Sequence, residues 1–303
     1  MDGIIPLWKE KGMTSHDCVF KMRQLLETKK VGHAGTLDPN VEGVLPICIG
    51  RGTKLVDYLH ERPKIYFCTV TLGCATTTED SDGEIIERMS VNHLTNDAID
   101  QVITHFQGEI IQIPPMYSAV KVNGKRLYEY AREGIEVERP QRRVTIFSLK
   151  RMSDIEQKED KQTFSFVVTC SKGTYVRTLA VDIGKKLGVP AHMSQLIRLE
   201  SAGYKAKDAY KLDELQDAKK QGKLDQYLLP LETVVSEMPQ MNLTKEEYKK
   251  VCNGMRFASS LLPSFDGEYL AMMYQKKLIA IYTYKDELKK QMKLWRMIEV
   301  EHQ

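Results

Sequence analysis

The sequence lacks the motifs of several large enzyme classes. Its 303 residues contain no H-E-x-x-H zinc motif, no P-loop and no G-x-G-x-x-G after a strand-like segment. These absences argue against a zinc protease, a nucleoside triphosphatase and a dinucleotide-dependent enzyme. The six cysteines are scattered without a C-x-x-C pair, a distribution typical of reduced, mostly buried thiols. We therefore expect a cytoplasmic protein that holds no metal ion.

Long apolar runs and a strong net charge are also missing. The longest apolar runs, such as residues 278–281, are far too short to span a bilayer, and the first residues do not resemble a signal peptide. The net charge of +3 permits a polyanionic partner without requiring one. With 42% hydrophobic and 28% charged residues, the composition predicts a globular protein with one large and one small domain.

Residues 31–39, which read V-G-H-A-G-T-L-D-P, form a polar stretch with no helical or strand periodicity. We predict a loop here that is neither helix nor strand. Pro39 biases Asp38 away from the helical region, so the loop presents the Asp38 carboxylate. Asp-Pro is common turn chemistry, and these nine residues alone favour an ordinary polar turn.

The segments on both sides of this stretch change the interpretation. Residues 11–15 read K-G-M-T-S, and residues 43–50 read G-V-L-P-I-C-I-G, followed by Thr53 and Lys54. Together with the loop they resemble the signature of the TruB family of tRNA pseudouridine synthases, in which G-H-x-G-x-L-D-P precedes G-V/M-L. The resemblance implies that Asp38 is the catalytic residue.

Residues 64–83 resemble a second motif of this family. Lys64 and Tyr66 begin a strand-like segment, and L-G-x-x-T-x-T-x-D-x-x-G follows from residue 72. The resemblance implies that Tyr66 stacks on the target base, with Lys64 also in the substrate site. Without the resemblance, Tyr66 is better explained as a half-buried strand residue. The acids of residues 79–82 resemble a calcium loop, but their spacing does not fit an EF-hand.

Residues 117–151 are basic and interleaved with tyrosines. They carry nine Lys or Arg residues against four Glu, a composition that suits phosphate contact and base stacking, although a solvated charged face would look the same. Asn123-Gly124 is a strong hairpin signal. Residues 112–124, Q-x-P-P-x-Y-S-A-x-K-x-x-G, resemble another TruB motif near the RNA, which implies that Lys121 binds substrate.

The segment G-T-Y-V-R-T at residues 173–178 lies between a predicted strand and a predicted helix. Arg177 falls in the first turn of this helix, where the helix dipole does not favour a cation, so its side chain needs a partner. TruB proteins carry G-T-Y-[IV]-R-T here. The resemblance implies that Arg177 pairs with Asp38 and that Tyr175 lies beside the target uridine.

Two further assignments come from the same resemblance. Residues 196–204 match L-x-R-x-x-x-G-x-[FY], a segment in which an apolar residue lines the uracil pocket, and Leu196 is our candidate for it. His33, in the first motif, is expected to hold the displaced nucleotide. A histidine hydrogen-bonded within the turn explains His33 about equally well.

Local patterns predict an α+β fold. Thr14 or Ser15, Thr95 and Thr244 can each cap a helix, and apolar residues at helical spacing follow Thr95. A further helix is predicted at residues 53–59 and an exposed loop at residues 153–162. The remaining segments favour strands, at residues 44–49, 64–72, 163–170, 269–274, 278–284 and 294–300.

A loop-like stretch through Pro230 and Pro239 predicts a domain boundary between residues 1–238 and residues 239–303. One helix and several short strands make the second part compatible with a small β-barrel. TruB proteins end in a PUA domain of similar position. The resemblance therefore implies the pseudouridine synthase fold, a mixed and mainly antiparallel sheet flanked by helices, followed by a PUA-like RNA-binding domain.

The implied reaction needs no cofactor. It breaks the N1–C1′ bond of uridine, turns the uracil and joins C5 to C1′, without redox change or group transfer from a donor. An ionised carboxylate could attack C1′ as in glycoside cleavage, add to C6, or remove the C2′ proton, and the sequence leaves these three routes open. Tyr175 could accept the C5 proton.

The family's substrate is the uridine at position 55, in the T-loop of tRNA. We expect a monomer that contacts the T-arm of tRNA without an obligatory protein partner. Two alternatives remain at this point. One is an RNA-binding or tRNA-folding module whose catalysis is dispensable. The other is a synthase that acts on another RNA, as archaeal and eukaryotic relatives do with guide-RNA partners.

Overall fold

The computed structural model describes residues 1–262, 265–285 and 290–299. The strands are β1 (Gly3–Lys9), β2 (Val31–His33), β3 (Glu42–Ile49), β4 (Lys64–Leu72), β5 (Cys74–Thr76), β6 (Ile85–Arg88), β7 (Gly108–Gln112), β8 (Lys121–Val122), β9 (Lys125–Arg126), β10 (Arg142–Arg151), β11 (Glu156–Lys158), β12 (Lys161–Cys170), β13 (Ala191–Ser201), β14 (Tyr204–Lys205), β15 (Gln240–Asn242), β16 (Phe257–Ala258), β17 (Tyr269–Tyr274), β18 (Lys277–Tyr284) and β19 (Gln291–Met297).

The α-helices are short and lie between the strands. They are α1 (Ser15–Leu26), α2 (Val56–Glu61), α3 (Asn96–Thr104), α4 (Leu127–Arg132), α5 (Val176–Lys186), α6 (Leu212–Lys220) and α7 (Lys245–Cys252). Turns of 3₁₀ helix occur at Gly50–Leu55, Ala206–Asp208, Leu224–Tyr227, Leu231–Val235 and Ser259–Leu261. Among the described residues, no helix is long and apolar enough to cross a membrane.

One large mixed sheet organises most of the chain. Its strands follow the order β1-β3-β13-β4-β12-β10-β7, with β2 paired to β3, β14 to β13 and β11 to β12. The pairings are antiparallel except where β13 runs parallel to β3. The predicted α+β class and mainly antiparallel sheet are confirmed.

The core of this sheet is built by alternate residues of neighbouring strands. Phe164, Phe166 and Val168 of β12 are buried with Val70 and Leu72 of β4, since side chains of one face recur at every second position. The predicted helix at residues 176–187 is α5, and it packs onto this face together with α3. Burial of these apolar faces is what fixes both helices on the sheet.

Most capping and turn predictions are also confirmed. Thr14, Thr95 and Thr244 cap α1, α3 and α7, each accepting a hydrogen bond from a backbone N–H inside its helix. At the Asn123-Gly124 turn both residues have positive φ, 50° and 83°, and β8 pairs with β9 on either side. These features need only local interactions, which explains why the sequence reveals them.

Three local predictions are wrong in part. Residues 31–33 are not loop, because they form β2 against β3. Residues 153–162 contain β11 and the start of β12. The expected helix at 53–59 begins as a 3₁₀ turn, and α2 follows from Val56. In the first two cases a neighbouring strand supplies backbone partners, and that tertiary context overrides a polar composition.

The C-terminal residues form a second sheet, which curls as half a barrel and has the order β15-β17-β18-β19-β16. The strand predicted at 294–300 is instead β19, from 291 to 297, and Val300 lies outside the described residues. This sheet shares a core with the first part of the chain, because Ala271 and Ile281 pack with Ile4, Leu55 and Leu231. The domain boundary at 238/239 stays a prediction.

Candidate active site

Residues 34–41 form the loop that carries Asp38, between β2 and β3, and we call them the catalytic loop. Its backbone is fixed by side chains from distant elements. The Ser15 hydroxyl accepts a hydrogen bond from the Leu37 N–H at 2.8 Å and donates to the Leu37 carbonyl at 3.2 Å. Both groups are buried, so this one hydroxyl satisfies a donor and an acceptor that water cannot reach.

Lys9 anchors the other end of the catalytic loop. Its side chain is fully buried, and its ammonium donates to the carbonyls of Val41 at 2.7 Å, Pro39 at 3.0 Å and Glu10 at 3.1 Å. Burial lowers the pKa of Lys9, and the nearby Cys18 and Asp38 oppose that effect. All three ammonium protons have an acceptor, as a buried cation requires.

Arg177 lies at the start of α5 and contacts two carboxylates. One guanidinium nitrogen is 3.1 Å from Asp38 Oδ2, and the other is 3.2 Å from Asp80 Oδ2. The same group donates to the carbonyls of Thr78 and Tyr117, at 3.1 and 2.9 Å. Arg177 thus has the partners that its place in the first helical turn demands.

The exposure of these three charged groups differs. The side chains of Arg177 and Asp80 are 7% and 15% exposed, whereas that of Asp38 is 47% exposed. Asp80 is further fixed by Thr78, whose hydroxyl donates to its other oxygen. The carboxylate of Asp38 is therefore held by Arg177 and still accessible to a substrate.

Asp38 opens into a cavity of about 400 Å³, a volume in the range of small-ligand sites. The cavity brings together most of the residues selected from the sequence, Asp38, Lys64, Tyr66, Lys121, Tyr175, Arg177 and Leu196. Among the described residues, Asp38 is the one acid that lines it, against several cations that include Arg142, Lys172 and Arg198. The cavity thus has an excess of positive charge around a single carboxylate.

The aromatic and apolar walls come from β4, β13 and the turn before α5. Tyr66 is half-buried on β4, and burial raises the pKa of its hydroxyl. Leu196 is 8% exposed on β13. The buried side-chain amide of Gln112 forms two hydrogen bonds with the backbone of Tyr175, donating to its carbonyl at 3.1 Å and accepting from its N–H at 3.0 Å. These bonds fix the main chain of Tyr175 beside the cavity.

Two of the proposed binding residues are placed differently from the others. The ammonium of Lys64 donates to the carbonyls of His60 and Arg62, at the end of α2, and burial followed by the Arg198 charge lowers its pKa to about 8. His33 does not line the cavity. Burial, and then Arg198, lowers the pKa of His33 to about 4, so it is neutral near pH 7.

The structure adds residues that the sequence analysis did not single out for a role at this site. Lys9 and Gln112 hold the backbone, Asp80 holds Arg177, and Arg198 lies beneath the catalytic loop. All four have their polar groups bonded in the structure, as a buried polar group requires. Asp80, Gln112 and Arg198 fall within the motifs quoted above, but the sequence did not identify the groups that they bond.

Ser118 also lines the cavity, and its buried hydroxyl has no hydrogen-bond partner among the described residues. A buried hydroxyl without a partner is costly, so it is available to a polar ligand atom. Within the described part of the chain, no group of three or more His, Cys, Asp or Glu side chains is placed to hold a metal ion.

Comparisons with known proteins agree with this architecture. A family model for the N-terminal domain of TruB family pseudouridylate synthases matches residues 23–176, and one for the tRNA pseudouridylate synthase B C-terminal domain matches residues 177–236. The chain is 50% identical to tRNA pseudouridine synthase B of Listeria welshimeri, over 99% of both chains. It is 56% identical to that of Halalkalibacterium halodurans, over 84% of both.

Solved structures show the same fold. A chain of an H/ACA RNP bound to a substrate RNA containing 2′-deoxyuridine is 25% identical with a TM-score of 0.72, covering 98% of this chain and 85% of that one. A chain of a Cbf5-Nop10-Gar1 complex is 27% identical with the same TM-score, covering 99% and 84%. The sheet is therefore a pseudouridine synthase fold, and the chain belongs to the TruB family of pseudouridine synthases.

Proposed function

We propose that this chain isomerises uridine to pseudouridine at position 55 of tRNA, in the T-loop, with Asp38 as the catalytic residue. The observation that carries the proposal is the half-exposed Asp38 carboxylate, paired with the buried Arg177 at the wall of a base-sized cavity. The ion pair with Arg177 orients this carboxylate at the cavity. Attack at C1′, addition to C6 and removal of the C2′ proton each use a carboxylate placed in this way.

The cavity walls suit a flipped uracil. A base inside folded tRNA must leave its stack before its glycosidic bond can be reached. The ring of Tyr66 replaces the lost stacking, and Leu196 covers the uracil in the pocket. The unpartnered Ser118 hydroxyl offers a hydrogen bond to a polar edge of the base. Tyr175, fixed through Gln112, accepts the C5 proton after C5 has joined C1′.

The cations around the cavity contact the phosphates near the target nucleotide. Lys121 and Arg142 line the cavity, and neither side chain has an ion pair or hydrogen bond within the described residues. Lys172 pairs with Glu61. Free cations are the groups that gain most from phosphate contact. Lys64 and His33 also bind the substrate, and His33 holds the displaced nucleotide.

The relatives support tRNA as the substrate, and we propose that the enzyme acts on its T-arm. Identity to tRNA pseudouridine synthase B is 50% over 99% of both chains, whereas identity to the H/ACA and Cbf5 chains is 25% and 27%. We therefore propose an enzyme that acts as a monomer without a guide RNA or protein partner. Residues 239–303 serve as a PUA-like domain that touches the same tRNA.

The test is tritium release from tRNA transcripts labelled with [5-³H]uridine, using the purified chain alone. Formation of the C5–C1′ bond expels the C5 hydrogen, so we expect release by the wild type. Asp38→Asn should release none, and a transcript without the T-loop uridine should not react with the wild type. A guide-dependent enzyme would release tritium only after a guide RNA is added.

Other outcomes point to the alternatives. Tight tRNA binding without release would indicate an RNA-binding or tRNA-folding module and overturn the enzymatic proposal. Release that persists in Asp38→Asn would place the chemistry on another residue. Since Asp38 is 47% exposed, the Asn variant is expected to fold, and circular dichroism verifies this before the assay.

A further inference from the structure

Arg198 is a buried arginine with an unusual environment. It is 1% exposed, and no described carboxylate lies within ion-pair distance of it. Its guanidinium donates instead to backbone carbonyls, from Nε to Val44 at 2.7 Å, from Nη2 to Gly35 at 3.0 Å and from Nη1 to Thr36 at 3.4 Å. A buried charge with only carbonyl partners is costly, which indicates a purpose beyond stability.

Those carbonyls belong to the two ends of the polar segment that carries Asp38. Gly35 and Thr36 lie in the catalytic loop before Asp38, and Val44 follows it in β3. The backbone of Arg198 also runs parallel to β3 here, in register with Gly43. A Cβ on Gly43 would lie 2.3 Å from the Arg198 carbonyl oxygen, so β13 and β3 approach as closely as glycine allows.

Arg198 is also adjacent to the residue proposed to stack on the base. Arg198 and Tyr66 are cross-strand partners of β13 and β4, and both line the cavity into which Asp38 opens. One buried residue therefore bonds the loop that presents Asp38 and neighbours Tyr66 in the sheet.

We propose that Arg198 is a positioning residue for the isomerisation, and that its guanidinium fixes the distance between Asp38 and the base stacked on Tyr66. The inference rests on the proposed function. Arginine is required because its five donors lie in one fixed plane, whereas a lysine ammonium is a point donor on a flexible stem. Misplacing reacting groups by about 1 Å can reduce a rate by about 100-fold.

The test compares Arg198→Lys and Arg198→Met with Arg151→Met. Arg151 is the control because it is an 18% exposed arginine that bonds Asp100, Asp154 and the Ser153 carbonyl, outside the residues that line the cavity. For each protein we would measure kcat and KM by tritium release, tRNA affinity by filter binding, and the melting temperature.

If Arg198 is a positioning residue, its replacement should lower kcat and leave KM nearly unchanged. We expect kcat to fall by about 100-fold in Arg198→Met and by at least about 10-fold in Arg198→Lys, with KM and tRNA affinity within about 3-fold of wild type. Arg151→Met, which loses an arginine outside the cavity, should keep its kcat. Added guanidinium ion should restore part of the rate to Arg198→Met, and ammonium ion at equal ionic strength should not.

The results that would overturn the proposal differ from those that overturn the function. Equal kcat in Arg198→Lys and wild type would show that charge alone suffices. A kcat loss in Arg151→Met that matches the loss in Arg198→Met would show that the rate responds to lost stability and that Arg198 has a structural role. If the wild type released no tritium, the proposed isomerisation would be refuted, and the role of Arg198 in it as well.

Discussion

Arg177 shares one positive charge between two carboxylates of unequal exposure. Asp80 is the more buried of the two and is held by Thr78, so it serves as the fixed anchor of the guanidinium. Asp38 contacts the other guanidinium nitrogen and faces the cavity. The orientation of Arg177, and through it that of Asp38, therefore depends on a residue that does not line the cavity.

Replacing Asp80 by asparagine tests this dependence. Asp80→Asn keeps the shape of the side chain and removes its charge, so Arg177 loses its buried ion pair and is held by the Thr78 and Tyr117 carbonyls and by Asp38. We expect kcat for tritium release to fall by about 10-fold, equivalent to ~1.4 kcal/mol of transition-state stabilisation, with little change in tRNA affinity. Asp160→Asn, at an exposed position, is the control, and an equal loss there would contradict the argument.

The pH dependence of stability contains a contribution from His33. Its pKa is lowered to about 4 in the folded chain by burial and Arg198, and it is about 6.5 when unfolded. Between these values the unfolded chain binds more protons, so the free energy of unfolding rises with pH. Going from about pH 7 down to pH 4, we expect this residue to remove up to about 3 kcal/mol.

Urea unfolding at a series of pH values measures this contribution. The curve for His33→Gln should lack the His33 part, so the wild type should lose up to about 3 kcal/mol relative to this variant as the pH falls from about 6.5 to 4. His93→Gln, at an exposed histidine, is the control for replacing a histidine elsewhere in the chain. Parallel curves for His33→Gln and wild type would refute the assignment.

At the scale of elements, the catalytic loop is held both by buried apolar side chains of its own, Ala34, Leu37 and Val41, and through its backbone. Ser15, Lys9 and Arg198 reach it from α1, β1 and β13. Their partners are carbonyl and N–H groups, which are buried and need these hydrogen bonds. The shape of the loop therefore depends on side chains outside it as well as on its own.

Substitutions at the cap and the first residue of α1 distinguish an effect on the stability of the helix from an effect on the shape of the catalytic loop. Thr14→Ala removes the helix cap and should lower the free energy of unfolding by about 1 kcal/mol, with kcat unchanged. Ser15→Ala leaves the buried N–H and carbonyl of Leu37 without their partner. It should cost about 1–3 kcal/mol and lower kcat as well.

Chemical denaturation and single-turnover tritium release give the two values for each variant. A Ser15→Ala enzyme that is less stable but fully active would show that the loop does not depend on this hydroxyl. A comparable loss of kcat in Thr14→Ala would show that the rate responds to α1 as a whole.

Elements that depend on interactions within a few residues could be predicted from the sequence. Elements that depend on pairing with a distant strand could not. The caps of α1, α3 and α7 and the turn at Asn123-Gly124 depend on side chains within a few residues. In contrast, β2 and β11 are polar segments that became strands because β3 and β12 offered backbone partners. No pattern inside these short segments identifies the strand that will pair with them.

On the scale of the whole molecule, the C-terminal sheet shares a buried apolar cluster with the preceding part of the chain. Ala271, Leu278 and Ile281 are buried in one cluster with Leu231 and Val235 of the preceding segment. Lys54 also donates to the Ile298 carbonyl. The two parts of the chain are therefore expected to unfold together, because neither can expose this shared cluster without cost.

Truncation after residue 238 tests this coupling. The shortened chain exposes the shared cluster and should lose several kcal/mol of unfolding free energy, at about 25 cal/mol per Å² of apolar surface. Arg296→Gln, which breaks the partly exposed ion pair with Asp57, should cost less than about 1 kcal/mol. A truncated chain that melts at the wild-type temperature would instead show an independent C-terminal domain. Differential scanning calorimetry distinguishes these outcomes.

The sequence by itself determined the family resemblance, the helices with their caps, and the candidates Asp38, Tyr66, Tyr175 and Arg177, because each rests on residues close together in the chain. The resemblance also implied the pair of Arg177 and Asp38. Only the tertiary structure decided which other distant groups hold these residues. Arg177 also meets Asp80, and Arg198 donates to Gly35 and is the cross-strand partner of Tyr66, across sequence separations that local patterns do not encode. The physical reason is that buried polar groups must find partners, and strand order alone brings those partners within reach.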